Sequence, residues 1–366
     1  MDDTLMTVTD VDGRERLAYN WHKAFNFDAD VTMVVSARTL GKTFGLRRQF
    51  IRDWLKHGWR FVEVCRFNDE RKETAASYFD KLGMLPECEG WVFRTTQYDA
   101  YIARKPEDGG KPEWQRIGYF VSLTQVQLNK KRTFSNVRRI CMDEAIIDRK
   151  DKYHKYLTDE WSLLANIVDT ASRESPDSGA TPPRVYLLGN AVDLINPYFA
   201  HYGIDRAPAY GKRWYAGKTF LLDNVDSGSY AQAKTTGTVA GRMLAGTVDG
   251  DVAASNVFAG LNAEYVAARP KHCRFVFGLV FEHTRYGVWR CASDGLYYVD
   301  GRIPGNTRQP VFSLTREDDT LDRMVALRSD PWLRQFARMY TVGAMRFVSV
   351  VVMVGFMRVL DLLGVK

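Results

Sequence analysis

Residues 31–46 read VTMVVSARTLGKTFGL. Val31–Val35 is a short apolar and β-branched run of the kind that forms a strand buried on both faces. The next eight residues, S-A-R-T-L-G-K-T over Ser36–Thr43, fit the phosphate-loop pattern G-x-x-x-x-G-K-[ST] except at its first position, where Ser36 replaces glycine. Helical spacing follows: Leu46, Phe50 and Trp54 recur at i, i+4, as do Ile51 and Leu55, and Gly58 supplies a stop. In a strand–loop–helix of this kind, successive backbone N–H groups and the helix N-terminus cradle a β-phosphate. Ser36, Ala37, Arg38, Thr39, Leu40, Gly41, Lys42 and Thr43 are therefore expected to line a bound ATP. Lys42 is expected to reach the β- and γ-phosphates, and Thr43 to hold Mg2+. Ser36 is acceptable if its position does not need φ > 0. A second Gly-Lys-Thr at 217–219 follows Gly211 with one residue too many and has no apolar strand before it, so it reads as linker.

Working outward, FVEVCRF (61–67) reads as the next strand, 69–82 as a charged helix, and 91–104 and 116–123 as β-hairpin material. Val137–Met142 is a third core strand that ends in Asp143-Glu144. Open α/β sheets bind ligands at the carboxyl ends of their strands. Asp143 is thus expected in the Mg2+ shell, and Glu144 is expected to polarise the attacking water. Trp161, Leu164, Val168 and Ala171 mark a helix, a Ser/Pro/Gly-rich loop covers 174–183, and Val185–Leu188 is a fourth strand ending in Gly189-Asn190. Strands alternating with helices predict an α/β fold with a parallel sheet.

Three further positions are ambiguous by residue type. Asn190 reads equally as a turn residue or as a sensor of the γ-phosphate. Arg173 is off the apolar face of its helix, so the surface reading is favoured over an arginine finger. Lys130, Lys131 and Arg132 form a basic cluster that suits either a solvated loop or a contact to nucleotide or DNA.

Near residue 200 the texture becomes rich in Gly, Tyr, Ala and Thr, which places a linker at 201–230 between domains 1–200 and 231–366. The 366 residues are 45% hydrophobic and 26% charged, which excludes a mostly disordered or fibrous chain. The charge is uneven. Residues 1–200 hold 30 basic and 29 acidic side chains, whereas 201–366 hold 21 and 15, and 16 of those 21 are Arg. The second part is accordingly expected to face a polyanion. RFVFGLVFEH, YGVWRCA and GLYYVD (274–300) read as a β meander, and the last 35 residues as helical and basic. The apolar stretch Phe347–Met357 is about half a membrane span and reads as a buried strand or helix. The N-terminus lacks the apolar core of a signal peptide, and the five cysteines contain no CxxC, so all are expected as reduced, mostly buried thiols of a cytosolic protein. The six His show no ligand spacing.

With these motifs in view, the chain resembles the DNA-packaging (encapsidation) ATPases of small tailed phages with protein-primed genomes. The resemblance is carried by VVSARTLGKTFGLR, FVEVCRF with Arg66, NVRRICMDE, LLANIVDTASR, LLGNAVDLINPYF, GRMLAGT, FVFGLVF with GVW and GLYYVD, and FSLTREDD, in that order. It implies a P-loop NTPase domain of the additional-strand, RecA- and terminase-like kind. A smaller C-terminal α+β domain resembling a vestigial RNase H-like nuclease is implied to follow it.

The resemblance also implies a homo-oligomeric ring, similar to a pentamer, at the portal vertex of a prohead in the host cytoplasm and absent from the mature virion. The ring pumps double-stranded DNA inward with ATP and Mg2+, touching the phage portal and a structural packaging RNA, with no membrane role. In this reading Lys42 and Thr43 are phosphate-loop ligands, Asp143 serves the metal and Glu144 catalysis. Asn190 becomes the sensor, Arg173 a finger acting in the neighbouring subunit, and Lys130 a basic residue at the nucleotide or subunit interface. Glu282, Asp294 and Asp300 are scattered through the meander, and no DNA cleavage is expected. The alternatives are a terminase-like ATPase with an active nuclease, a nucleotide-binding scaffold without turnover, and a helicase-like ATPase.

Overall fold

The computed structural model describes residues 5–9, 15–37, 40–106, 109–125, 132–147, 155–173, 181–190, 196–204, 213–216, 219–225, 239, 243, 265–321, 323–325 and 330–365. They form two compact units. One comprises Met1–Val192 with Pro208–Val257, the other Asp193–Ala207 with Phe258–Lys366.

The first unit opens with a hairpin, β1 (Leu5–Thr9) and β2 (Glu15–Tyr19), followed by helix α1 (Trp21–Phe27). The phosphate-loop strand is β3 (Val31–Val35), and the helix after the loop is α2 (Lys42–His57). Leu46, Phe50 and Ile51 of α2 are at most 1% exposed, as their spacing requires, and Gly58 ends the helix at φ 67°. There follow β4 (Arg60–Cys65), α3 (Asn68–Ser77), β5 (Trp91–Thr95), β6 (Asp99–Arg104), β7 (Gln115–Ser122), β8 (Val137–Met142), α4 (Glu160–Ser172) and β9 (Arg184–Gly189). The hairpin expectations for 91–104 and 116–123 become one antiparallel meander, β5–β6–β7.

The sheet has nine strands. Its central run pairs β3 with β9, β9 with β8, β8 with β4 and β4 with β7, all parallel. These strands are apolar on both faces because helices cover both. Phe50 and Phe61 stack at 5.6 Å, and Phe61 and Tyr78 at 5.0 Å, binding α2 and α3 to β4. Each such ring contributes about 1.5–3 kcal/mol by its burial. Gly118 on β7 admits the Phe61 ring, since a Cβ there would lie 2.4 Å from it.

The expected linker at 201–230 requires correction. It contains β10 (Arg213–Ala216) and β11 (Phe220–Asn224), and β11 pairs in parallel with β3 on the side away from β9. All five residues of β11 are buried. The run FLLDN is a fully buried strand, and its short length and Gly/Tyr-rich flanks concealed it. The order β11-β3-β9-β8-β4 places one additional strand, β9, between the phosphate-loop strand and the strand bearing Asp143. Helix α5 (Pro197–His201), assigned by its sequence position to the first domain, belongs to the second unit.

The second unit holds β12 (Arg274–Phe281), β13 (Thr284–Arg290), β14 (Tyr297–Asp300), β15 (Val311–Ser313), β16 (Met324–Val325), helix α6 (Pro331–Thr341), β17 (Met345–Phe347) and helix α7 (Val350–Leu362). The strand order is β16-β15-β12-β13-β14-β17, with β12–β13–β14 antiparallel as expected and β15, β16 and β17 parallel to their neighbours. Setting β17 aside, this is the order and sense of an RNase H-like sheet.

Leu333 and Phe336 of α6 and Met353, Phe356 and Leu360 of α7 pack on Phe277, Leu279, Tyr286 and Val299. Asp330 caps α6 by accepting from the backbone N–H groups of Trp332 and Leu333, and Ser349 caps α7 by accepting from Val352. The apolar stretch Phe347–Met357 is the end of β17 and the start of α7, and no helix among the described residues is long and apolar enough to cross a membrane.

The expectation of five reduced thiols also changes. Cys273 and Cys291 form a disulfide with their Cα atoms 4.3 Å apart, whereas Cys65, Cys88 and Cys141 are free and buried. The next pair along the hairpin is Arg274 opposite Arg290, so Cys273 and Cys291 face each other across two antiparallel strands. Directly opposed antiparallel residues can bring their Cα atoms to about 4.5 Å, the short end of the span a disulfide bridges. That proximity depends on register, which residue counting could not supply.

Candidate nucleotide-binding site

The described part of the loop after β3 leads directly into α2. Ser36 is fully buried, its N–H donates to the Gly189 carbonyl at 3.2 Å, and its φ is not positive. A serine therefore fits where the pattern has glycine. Gly41 is the residue that needs glycine: it caps α2 at φ 66°, a left-handed conformation costly for other residues. Ala37 and Leu40 are buried beneath the loop. Arg38, Thr39 and Lys130 lie outside the described residues.

Lys42 is 8% exposed. Its ammonium donates to the carbonyls of Ser36 at 3.3 Å and Ala37 at 3.5 Å, and to Asn190 Oδ1 at 3.2 Å. The Thr43 hydroxyl donates to Asp143 Oδ2 at 2.8 Å. Loop, β8 tip and β9 tip thus converge, bringing Lys42, Thr43, Asp143 and Asn190 together. A hydroxyl beside a carboxylate is the all-oxygen donor set that suits a hard divalent cation.

Glu144 is exposed at the same tip, with φ 52°. Its N–H donates to Asp143 Oδ1 at 3.0 Å. Its carbonyl accepts from the Arg66 guanidinium at 3.4 Å, and Arg66 is itself held by Glu160 through bonds of 2.7 and 2.9 Å. Non-glycine residues with positive φ are strained and persist where surrounding contacts impose them. Here the buried Arg66–Glu160 pair and the bond from Ala145 N–H to the Leu188 carbonyl fix the turn that presents Glu144.

Arg173 is not brought into this cluster. It ends α4, 57% exposed, with its guanidinium 3.1 Å from Asp169 one helical turn earlier.

Several supports were not anticipated from sequence. Tyr19 N–H donates to the Leu40 carbonyl, and Trp21 Nε1 to the Lys42 carbonyl at 3.0 Å, so the N-terminal hairpin and α1 buttress the loop. A Cβ at Gly45 would lie 2.9 Å from the Trp21 ring, so glycine permits that approach. Arg47 of α2 pairs with Glu63 of β4, which is 1% exposed. Burial pushes the Glu63 carboxyl up from its ordinary value, against the pull of Arg47. Burial likewise pushes the Cys65 thiol up to about 12 and that of Cys141 well above the usual range, leaving both inert. A glutamate within the apolar run FVEVC was the sequence signal for the Arg47–Glu63 pair.

In the second unit the three scattered carboxylates stay apart. Glu282, at the β12–β13 turn, pairs with Arg358 at 2.5 Å. Asp294, in the turn at the far end of β13, accepts from Tyr298 Oη at 2.9 Å, and Asp300 lies 3.4 Å from Arg269.

A phosphate loop between β3 and α2, an acidic pair at the tip of β8 and one strand between them define a P-loop NTPase of the additional-strand class. Residues 14–359 match the family model described as podovirus DNA encapsidation protein (Gp16), and the chain belongs to that family. It is 28% identical over 338 residues to the DNA packaging proteins of Bacillus phages PZA and phi29, covering 92% of this chain and 95% of each relative. The fold is similar to a chain of the bacteriophage phi29 viral genome packaging motor assembly, with a TM-score of 0.68 and 25% identity over 94% of this chain and 99% of that one.

Proposed function

We propose that this chain is an ATP-hydrolysing ring motor that drives double-stranded viral DNA into a prohead. The observation that carries the reading is the 2.8 Å bond between Thr43 and Asp143, which joins the phosphate loop to the acidic tip of β8. In this proposal Gly41, Lys42 and the loop N–H groups of 36–43 hold the phosphates of ATP, and Thr43 and Asp143 hold Mg2+. When bound, the ion neutralises charge that develops on the phosphates.

Glu144 orients a water toward the γ-phosphate and takes its proton. Lys42 follows the charge of the transferred group, and Asn190, already bonded to Lys42, reports which nucleotide is present. Arg173, directed to solvent in its own chain, completes the site of a neighbouring subunit, and Lys130 acts at the same interface. Phosphoryl transfer needs positioning and charge more than covalent help, and these residue types supply both.

The wider reading carries over from the phi29 viral genome packaging motor assembly, to a chain of which this fold is similar. It comprises a homo-oligomeric ring, taken as five subunits, at the portal vertex in the host cytoplasm, with duplex DNA, the portal and a structural RNA as partners. The Arg-rich second unit is assigned to phosphate-backbone contact. Nuclease activity is not part of the proposal, because two-metal cleavage needs carboxylates converging on ions about 4 Å apart and these three are each engaged elsewhere.

The test is ATP turnover by the purified chain on proheads, with and without linear duplex DNA, beside Lys42→Ala. DNA-stimulated turnover lost in Lys42→Ala is the expected result. Binding of ATP without turnover on assembled proheads would overturn the motor reading in favour of a scaffold.

A further inference from the structure

Two of the polar contacts that bind helix α2 to the sheet lie one helical turn apart. Thr43 donates to Asp143 at the tip of β8, and Arg47, four residues on and on the same face, pairs with Glu63 in the middle of β4. Glu63 is the register partner of Cys141, two residues before Asp143. The proposed metal-binding carboxylate and Glu63 therefore lie on the same face of adjacent strands, close enough for Asp143 to act on the Glu63 charge. Both Arg47 nitrogens that bond Glu63 use the same oxygen, Oε1, while Oε2 is buried with no hydrogen-bond partner. The Arg47 guanidinium also lies 4.7 Å from the centre of the Tyr78 ring. A carboxylate held inside an apolar strand with one oxygen unpartnered is a costly arrangement that packing alone does not call for.

We propose that Glu63 is a positioning residue that keeps the Arg47 guanidinium away from Asp143. Arg47 is a fixed cation in a poorly hydrated place, and attraction between charges is strong there. Without Glu63, Asp143 remains on the same face of the sheet, two residues past the register partner of Glu63 and bonded to Thr43, which is one helical turn from Arg47. An Asp143 engaged by Arg47 has its charge neutralised and its oxygens occupied, so it is withdrawn from a divalent cation. Glu63 thus acts on the metal site only through Arg47 and touches neither nucleotide nor ion.

This rests on the nucleotide and magnesium reading above, and its test separates the two. A fluorescent, non-hydrolysable ATP analogue is bound to the full chain in EDTA and then titrated with magnesium chloride. Glu63→Gln is expected to raise the magnesium needed for half-saturation by about tenfold or more, with analogue affinity in EDTA changed less than about twofold. Adding Arg47→Met to that variant is expected to restore the magnesium response, because the competing cation is gone. Arg47→Met alone is expected to keep its magnesium response, and its loss there would overturn the proposal even if Glu63→Gln does not fold.

The proposal is overturned if Arg47→Met alone loses the magnesium response, if Glu63→Gln matches wild type, or if the double variant is no better than Glu63→Gln. If the wild-type chain itself shows no magnesium-dependent binding, the failure lies with the nucleotide-site reading instead.

Discussion

The Lys42 ammonium and the Asn190 amide oxygen, 148 residues apart in sequence, lie 3.2 Å apart. The contact exists because β9 runs beside β3 and ends level with the phosphate loop. Asn190→Ala should lower kcat for ATP by about 10²-fold while changing nucleotide affinity only a few fold, as for loss of a group that acts mainly in the transition state. Steady-state turnover together with equilibrium binding checks this. An equal loss in both would make Asn190 a binding residue instead.

Arg173 pairs with Asp169 in solvent in its own chain, and the proposed function gives it to the site of a neighbouring subunit. Rings made only of Arg173→Ala should therefore lose about 10³-fold or more in turnover, the scale of an absent arginine finger. Rings mixed from Arg173→Ala and Glu144→Gln subunits should recover part of it. In a mixed ring, some intact Glu144 sites face an intact Arg173. Wild-type turnover in pure Arg173→Ala rings would remove the residue from the mechanism.

The cysteine assignment is open to direct counting. With Cys273 and Cys291 joined, the denatured chain should bind three equivalents of a thiol reagent without reductant and five after reduction. Five in both conditions would show that the bridge does not form in solution.

Glu87 gives an acid-range test. Burial raises its carboxyl, but hydrogen bonds from Arg48 and its own backbone, with the charges of Arg48 and Arg52, bring it from 4.5 down to about 2. A depressed folded-state value means the ionised form favours folding. The stability it confers is present above pH 4.5 and is lost as pH falls toward 2. Glu87→Gln should flatten the dependence of melting temperature on pH in that window and leave the region above pH 5 parallel to wild type. The side chain is partly exposed, so the effect should be modest and should shrink with added salt.

Much of the site was readable because it is local. The loop 36–43 is one continuous segment, and Asp143 and Asn190 each follow an apolar strand directly, so strand ends marked them. The supports were hidden because they join distant segments. Trp21 reaches Lys42 from the N-terminal helix, and Arg66 meets Glu160 across 94 residues. No periodicity encodes such pairs. β11 was missed for a different reason. Its apolar run is only three residues, Phe220–Leu222, followed by Asp223 and Asn224, and its pairing with β3 is what gives it meaning. The disulfide likewise depended on the register of β12 against β13, including the irregularity between Phe275 and Phe277.

The interleaving of the two units along the chain carries a practical consequence. The polypeptide leaves the first unit after Val192, returns at Pro208 and departs again after Val257. A fragment cut at the sequence-apparent boundary near residue 200 would keep every residue of the phosphate loop yet strip β11 from β3. The loop-bearing strand would become a bare edge, with apolar side chains and unpaired N–H and C=O groups available to any other chain. Such a fragment is a template for self-association, and an isolated ATPase piece must extend past Asn224 to keep β3 paired on both sides.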